Sequence, residues 1–128
     1  KNKTFNKLGN IFINVHGSYL PIYRGPAQYI FYLINNDKQF GITLHFMDSS
    51  IDNGDIIKQQ LFDFNPNISA YKLHYELACR YAYMFNNFLK DYIEYEKIPK
   101  IKQDKHKATY TRLPKNEDIA RLYNNGNK

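Results

Sequence analysis

Asn14 and His16 are the polar side chains that interrupt and end an apolar run, Ile11-Phe12-Ile13-Asn14-Val15, just before a loop punctuated by Gly17, Pro21 and Gly25. The run has the length of a strand buried on both faces. Residues two apart on a strand share a face, so the amide and the imidazole stand side by side. Taken alone, the pair fits a satisfied core contact as well as it fits chemistry. Asp52 shifts the balance. It lies in the turn after the next predicted strand, where it can reach the crevice at a sheet's edge that open α/β folds use for ligands. An amide can donate to a developing oxyanion, and a histidine titrating near neutrality can move protons. A carboxylate can orient that histidine, raise its pKa and favour its charged form. Such a trio suits acyl transfer to an amine.

The elements that must position the trio follow from periodicity. Phe5 and Leu8, closed by Gly9, read as the end of a helix, and the strand Ile11–Val15 comes next. Gly25-Pro26 predicts a helix start with Pro at the first helical position. Ala27, Ile30, Phe31 and Ile34 then recur at helical spacing until Asn35-Asn36-Asp37. Gly41–Asp48 alternates as a strand, with Ile42, Leu44 and Phe46 on one face and Thr43, His45 and Met47 on the other. The turn through Asn53-Gly54 supplies positive φ angles, and Asp55–Phe64 returns as an antiparallel partner.

Pro66 breaks the chain and Ser69 reads as an N-cap. Leu73, Leu77, Met84, Phe85, Phe88, Leu89, Tyr92 and Ile93 outline one long amphipathic helix, a core stripe. Residues 97–128 form a basic extension, with five lysines in Lys97–Lys107, a short strand or extended arm at Ala108–Thr111 and a last helical turn or two over Asn116–Tyr123.

A chain of 128 residues with twelve Tyr and nine Phe is one domain that buries roughly two thirds of its unfolded surface, and wholesale disorder is excluded. The formal charge of +6 suits an anionic ligand, a nucleotide or a nucleic acid, and is equally what a lysine-rich surface gives by default. Cys79 is a lone cysteine without metal-ligand neighbours, which excludes an internal disulfide and predicts a cytoplasmic protein. No apolar run approaches the ~20 residues of a membrane span, and residues 1–5 lack a signal-peptide core. Its first residue is Lys, so the true amino terminus can lie upstream.

The ordered segments Asn14-Val15-His16-Gly17-Ser18-Tyr19-Leu20-Pro21-Ile22-Tyr23-Arg24-Gly25 and Gly41-Ile42-Thr43 through Asp52-Asn53-Gly54 resemble the folate-dependent formyltransferase family. The family signature is Asn-x-His at a strand end, Ser-x-Leu-Pro and a Gly, then a Gly-x-Thr strand and an Asp followed two positions later by Gly. The resemblance implies an α/β fold: the C-terminal part of a Rossmann-like formyltransferase domain, a mixed sheet with an antiparallel strand pair and a long amphipathic helix. It also implies a βα folate-binding region ahead of the Asn-x-His strand. The expectation is therefore a single catalytic domain over residues 1–128 that lacks that region.

By the same resemblance, the formyl donor is N10-formyltetrahydrofolate and metal is not required. Asn14 is expected to hold the oxyanion, His16 to handle the proton of the amine or the charge of the intermediate, and Asp52 to orient water or His16. Asp48, Ser49, Ser50 and Ile51 are expected along the pteridine, and Ser18, Tyr23 and Arg24 at the substrate, Arg24 either on a phosphate or in a structural salt bridge. His45 is expected to be a packed or hydrogen-bonded histidine outside the trio. The His-Gly-Ser-Tyr variant and the strand Thr43–Met47 are most similar to sugar N-formyltransferases acting on nucleotide-linked amino sugars. A methionyl-tRNA formyltransferase-like enzyme is the alternative, and a homodimer is compatible with the Tyr-rich surface. A truncated, non-catalytic relative binding nucleic acid through its basic extension is a third reading.

Overall fold

The structure is a computed structural model and describes residues 12–126; the helix end expected at Phe5, Leu8 and Gly9, and the start of the strand at Ile11, lie outside the described residues. A three-stranded sheet of order β1-β2-β3 is built from β1 (Ile13–His16), β2 (Gln39–Phe46) and β3 (Ile56–Asp63). Both pairings are antiparallel. The strand buried on both faces is β2, not β1: Ile42, Thr43, Leu44 and His45 are all buried, whereas Ile13, Asn14 and Val15 are half-buried. The middle strand is the one flanked on both sides, and that position decides which strand can be covered completely.

Helix α1 (Gln28–Ile34) starts two residues later than Pro26 would set it. Gly25 and Ala27 both hold positive φ, 97° and 59°, so the right-handed helix cannot begin until Gln28. The long helix α2 (Ala70–Tyr95) is capped by Ser69, whose hydroxyl accepts from the Lys72 N–H at 3.2 Å. Ile30, Leu33, Ile42, Leu44, Leu73 and Leu77 meet in the core between α1, β2 and α2. Each such side chain contributes about 1.5–3 kcal/mol by leaving water.

The expected core stripe of α2 is buried only in part. Leu73, Leu77, Met84 and Phe88 are covered, while Phe85, Leu89, Tyr92 and Ile93 are exposed. The last turns still meet the sheet, since Asp91 pairs with Lys58 of β3 at 2.8 Å and Phe88 stays covered.

Beyond α2 the chain doubles back over the strand ends. Ile101 bridges to Ile56, and Tyr110 bridges to Arg24. A short 3-10 turn (Lys105–Lys107) lies between those bridges, and α3 (Asn116–Asn124) follows. Leu122 of α3 joins the core.

Candidate active site

Asn14 and His16 leave the end of β1 on one face, as alternation requires, and antiparallel register sets Asn14 directly opposite His45 and His16 opposite Thr43. A register shift in the β2–β3 ladder falls between Leu44 and His45. Bulges of this kind re-aim a side chain next to a site. Asp52 projects from the turn between β2 and β3 and completes the cluster. Its Oδ2 stands 3.4 Å from His16 Nδ1 and its Oδ1 3.6 Å from His45 Nε2. The Gly25 N–H donates to Oδ2 at 2.8 Å.

Hydrogen bonds to carbonyls assign the tautomers. His16 Nε2–H donates to the Tyr23 carbonyl at 2.8 Å, which leaves Nδ1 as the acceptor of the neutral ring. The Gln28 amide lies 3.1 Å from that Nδ1 and also donates to the Gly25 carbonyl at 2.5 Å. A proton arriving on His16 therefore lands on Nδ1, facing Asp52. His45 Nδ1–H donates to the Phe46 carbonyl at 2.8 Å. Its Nε2 takes an N–H from Asn14 at 3.3 Å, and the second N–H of that amide is left for the cavity.

The charge balance differs from the sequence expectation. Burial pushes the His16 imidazole below its ordinary 6.5 and outweighs the opposing pull of Asp52 and the Tyr23 carbonyl. His16 is neutral at neutral pH, not held in its charged form. Burial also pushes the Asp52 carboxyl up. A hydrogen bond from His45 when its Nε2 carries a proton, the charge of a protonated His16 and the Gly25 N–H together exceed that effect, so Asp52 ends below the usual carboxylate range. The result is a buried neutral base beside an anion.

A cavity of about 330 Å³ opens on this cluster, lined by Asn14, His45, Met47, Asp52 and the turn Asp48–Ile51. His16 is 5% exposed and sits behind Asp52, whose side chain keeps 14%. The two therefore act in series, with Asp52 in front. The turn is fixed by its own residues, since Asp48 Oδ1 accepts from the Ser50 N–H at 2.7 Å and Oδ2 from the Asn53 amide at 3.2 Å. The positive φ expected at Asn53-Gly54 falls on Asp52 instead, at 48°. Gly54 is required for space, because a Cβ there would collide with the Phe46 carbonyl.

The residues expected at the substrate, Ser18, Tyr23 and Arg24, are placed as follows. Ser18 is fully buried, with its hydroxyl donated to the Ile22 carbonyl at 2.5 Å. The Tyr23 hydroxyl donates to Asp37 and accepts from Asn35, and only its backbone carbonyl serves the site. Arg24 is 2% exposed and has no salt bridge among the described residues. Its guanidinium donates to Gln103 Oε1, at 3.2 Å from Nε and 2.7 Å from Nη2, and to the Tyr110 hydroxyl at 3.1 Å. His45, Gln28 and Gln103 are the site's unforeseen members. The cross-strand register would have found His45, and the spacing of three from Gly25 to Gln28 would have suggested a cap.

On the far side of the Asp48–Asp55 turn, a second cavity of about 460 Å³ is lined by Lys100, Lys102 and Lys105 together with Asp48 and Asp55. Among the described residues no cluster could hold a metal ion, and no helix is long and apolar enough to cross a membrane.

A family model described as formyl transferase matches residues 2–80. The chain is 38% identical over 108 residues to the methionyl-tRNA formyltransferase of Syntrophomonas wolfei, covering 84% of this chain and 34% of the relative. The chain thus spans about a third of the length of the curated relatives it matches. Among solved structures, the sugar 3N-formyl transferase WlaRD, determined in the presence of dTDP and 5-N-formyl-THF, superposes with a TM-score of 0.71 at 30% identity. That match covers 78% of this chain and 36% of WlaRD. The N-formyltransferase from Helicobacter canadensis, in complex with folinic acid and dTDP-3-aminofucose, gives a TM-score of 0.75 at 25% identity over 90% of this chain and 47% of that one.

Proposed function

We infer the function from family and geometry together: the chain belongs to the formyl transferase family. We propose that the full-length protein transfers a formyl group from N10-formyltetrahydrofolate to the amine of a nucleotide-linked amino sugar. The observation that carries the reading is the set Asn14, His45 and Asp52 on one cavity, with the neutral His16 behind Asp52. The residues present fit the folate. The cavity of about 330 Å³ lies at the lower end of small-molecule sites, which run from about 300 Å³ upward. Exposed Met47 and Ile51 offer apolar faces to a flat ring, and the polar turn Asp48–Ser50 offers its edge groups.

The folate, when bound, supplies an activated formyl carbon. The spare N–H of Asn14 is aimed where negative charge builds on the formyl oxygen. Asp52 takes the proton as the amine attacks and passes it to Nδ1 of His16, 3.4 Å behind, where the carboxylate, again an anion, faces the charged ring. Gln28 and the Tyr23 carbonyl hold that ring in the receptive tautomer.

The sugar acceptor is supported by the likeness to WlaRD and to the H. canadensis enzyme. A second reading, methionyl-tRNA as acceptor, is favoured by the 38% identity to the S. wolfei enzyme, and the three lysines beside the site would suit a polyanion. The full-length protein is incubated with N10-formyltetrahydrofolate and either a dTDP-amino sugar or methionyl-tRNA, and the acceptors are weighed by mass spectrometry. A formyl mass gained by the sugar alone is the expected outcome. Gain by the tRNA alone replaces the acceptor, and gain by neither defeats the reading.

A further inference from the structure

Two loops that frame the cluster are held in unfavourable backbone conformations, and one segment far along the chain holds both. Asp52 has φ 48° and Tyr23 has φ 58°. Side chains other than glycine rarely adopt this left-handed region, and for a bulky ring it is an outlier. Such conformations persist where surrounding structure over-determines them. For Tyr23 and its neighbours the support is the extended arm. Thr109 Oγ1 accepts the Tyr23 N–H at 2.8 Å, the Thr109 carbonyl accepts the Arg24 N–H at 2.9 Å, and the Thr111 N–H donates to the Arg24 carbonyl at 2.7 Å.

For Asp52 the support is one buried amide. Gln103 Nε2 donates to the Asp52 carbonyl at 2.9 Å and to the Gly54 carbonyl at 2.8 Å, and its Oε1 takes both N–H groups from Arg24. Every hydrogen-bonding group of this side chain is committed, and it is buried within a run of exposed lysines. Arg24 belongs to the loop whose Gly25 N–H binds the Asp52 carboxylate. Gln103 therefore ties the backbone of Asp52 to the same loop that grips its side chain.

We propose that Arg24 and Gln103 are positioning residues that hold Asp52 in its left-handed conformation, with its carboxylate between His16 and His45. The proposal rests on the formyl-transfer reading for its kinetic arm only. Neither side chain lines the cavity of about 330 Å³, so neither touches the reacting groups.

Two variants of the full-length protein separate this role from a plain structural one. Gln103→Glu keeps an acceptor for Arg24 but loses both donors to the turn; Gln103→Met loses both functions without adding charge. Displacing Asp52 should cost both variants ~100-fold in kcat, with KM for the acceptor within about threefold of wild type. In Gln103→Met the His16 imidazole, followed by NMR, should titrate at lower pH than in wild type. Its titratable neighbours are Asp52 and His45, and moving Asp52 away removes the group that raises it.

Wild-type kcat in Gln103→Glu would overturn the proposal, because accepting the Arg24 N–H groups would then be the whole role. An unmoved His16 titration in a folded Gln103→Met variant would overturn it equally. If Gln103→Met does not fold, kcat of Gln103→Glu decides. If the wild-type protein transfers no formyl group, the NMR arm still decides.

Discussion

Replacing Asp52 by Asn removes one charge at nearly constant shape, and its effect can be worked from the distances. As a proton moves onto His16 Nδ1, it lies 3.4 Å from Asp52 Oδ2. At an effective dielectric of ~20 that contact is worth about 5 kcal/mol. The carboxylate keeps 14% of its side-chain surface in water and shares Oδ2 with the Gly25 N–H. If roughly half of the attraction survives, about 2.5 kcal/mol is lost, and one factor of ten is 1.36 kcal/mol. The expected fall in kcat is therefore ~70-fold. Measured on the full-length protein, kcat should drop with little change in KM for either substrate. The acid limb of kcat/KM, already below 6.5 because burial depresses His16, should move to still lower pH in the variant. Wild-type kcat in Asp52→Asn would refute the reasoning, and so would a wild-type acid limb above 6.5.

Stability should depend on pH through the same two groups. His16 and Asp52 both titrate lower in the folded state than their ordinary 6.5 and 3.8, so the unfolded chain binds each proton first as pH falls. Their contribution is fully present above 6.5, begins to fade as pH drops below it, and fades again below 3.8; urea midpoints at pH 7.5, 6 and 3.5 should decrease in that order. Gly25→Ala should cost about 1–3 kcal/mol from its φ of 97° alone. Its Cβ would also lie 2.6 Å from the Thr111 carbonyl, so denaturant titration should show a larger loss than for an ordinary loop alanine.

What could be read from the sequence was what local pattern dictates. Alternation put Asn14 and His16 on one face, and the turn between β2 and β3 brought Asp52 to them. Ser69 capped the long helix as its residue type requires. What stayed hidden was tertiary. His45 became the second partner of Asp52 through cross-strand register, which no local signal sets. Asp52 raises the His16 pKa as expected of a carboxylate, but the net direction is set by burial, which is invisible in the sequence and outweighs it. Gln103 is one amide in a stretch that reads as solvated lysines, and nothing nearby in the chain marks it as buried. The hydrogen-bond partners of Arg24, Gln103 and Tyr110, lie far downstream and carry no local signal.

The doubling back of residues 101–111 over the strand ends also sets an order of events during synthesis. Chains emerge from the ribosome at ~5–20 residues per second and begin to fold from the N-terminal side. The sheet and the contacts of Asn14, His16, His45 and Asp52 involve residues available by the time β3 is made. The bonds that secure Tyr23, Arg24 and the Asp52 backbone come from Gln103, Thr109 and Thr111. A nascent chain paused before Gln103 can hold the right side chains in the right neighbourhood without the geometry that makes them competent. Maturation of the site therefore waits for residues 103–111.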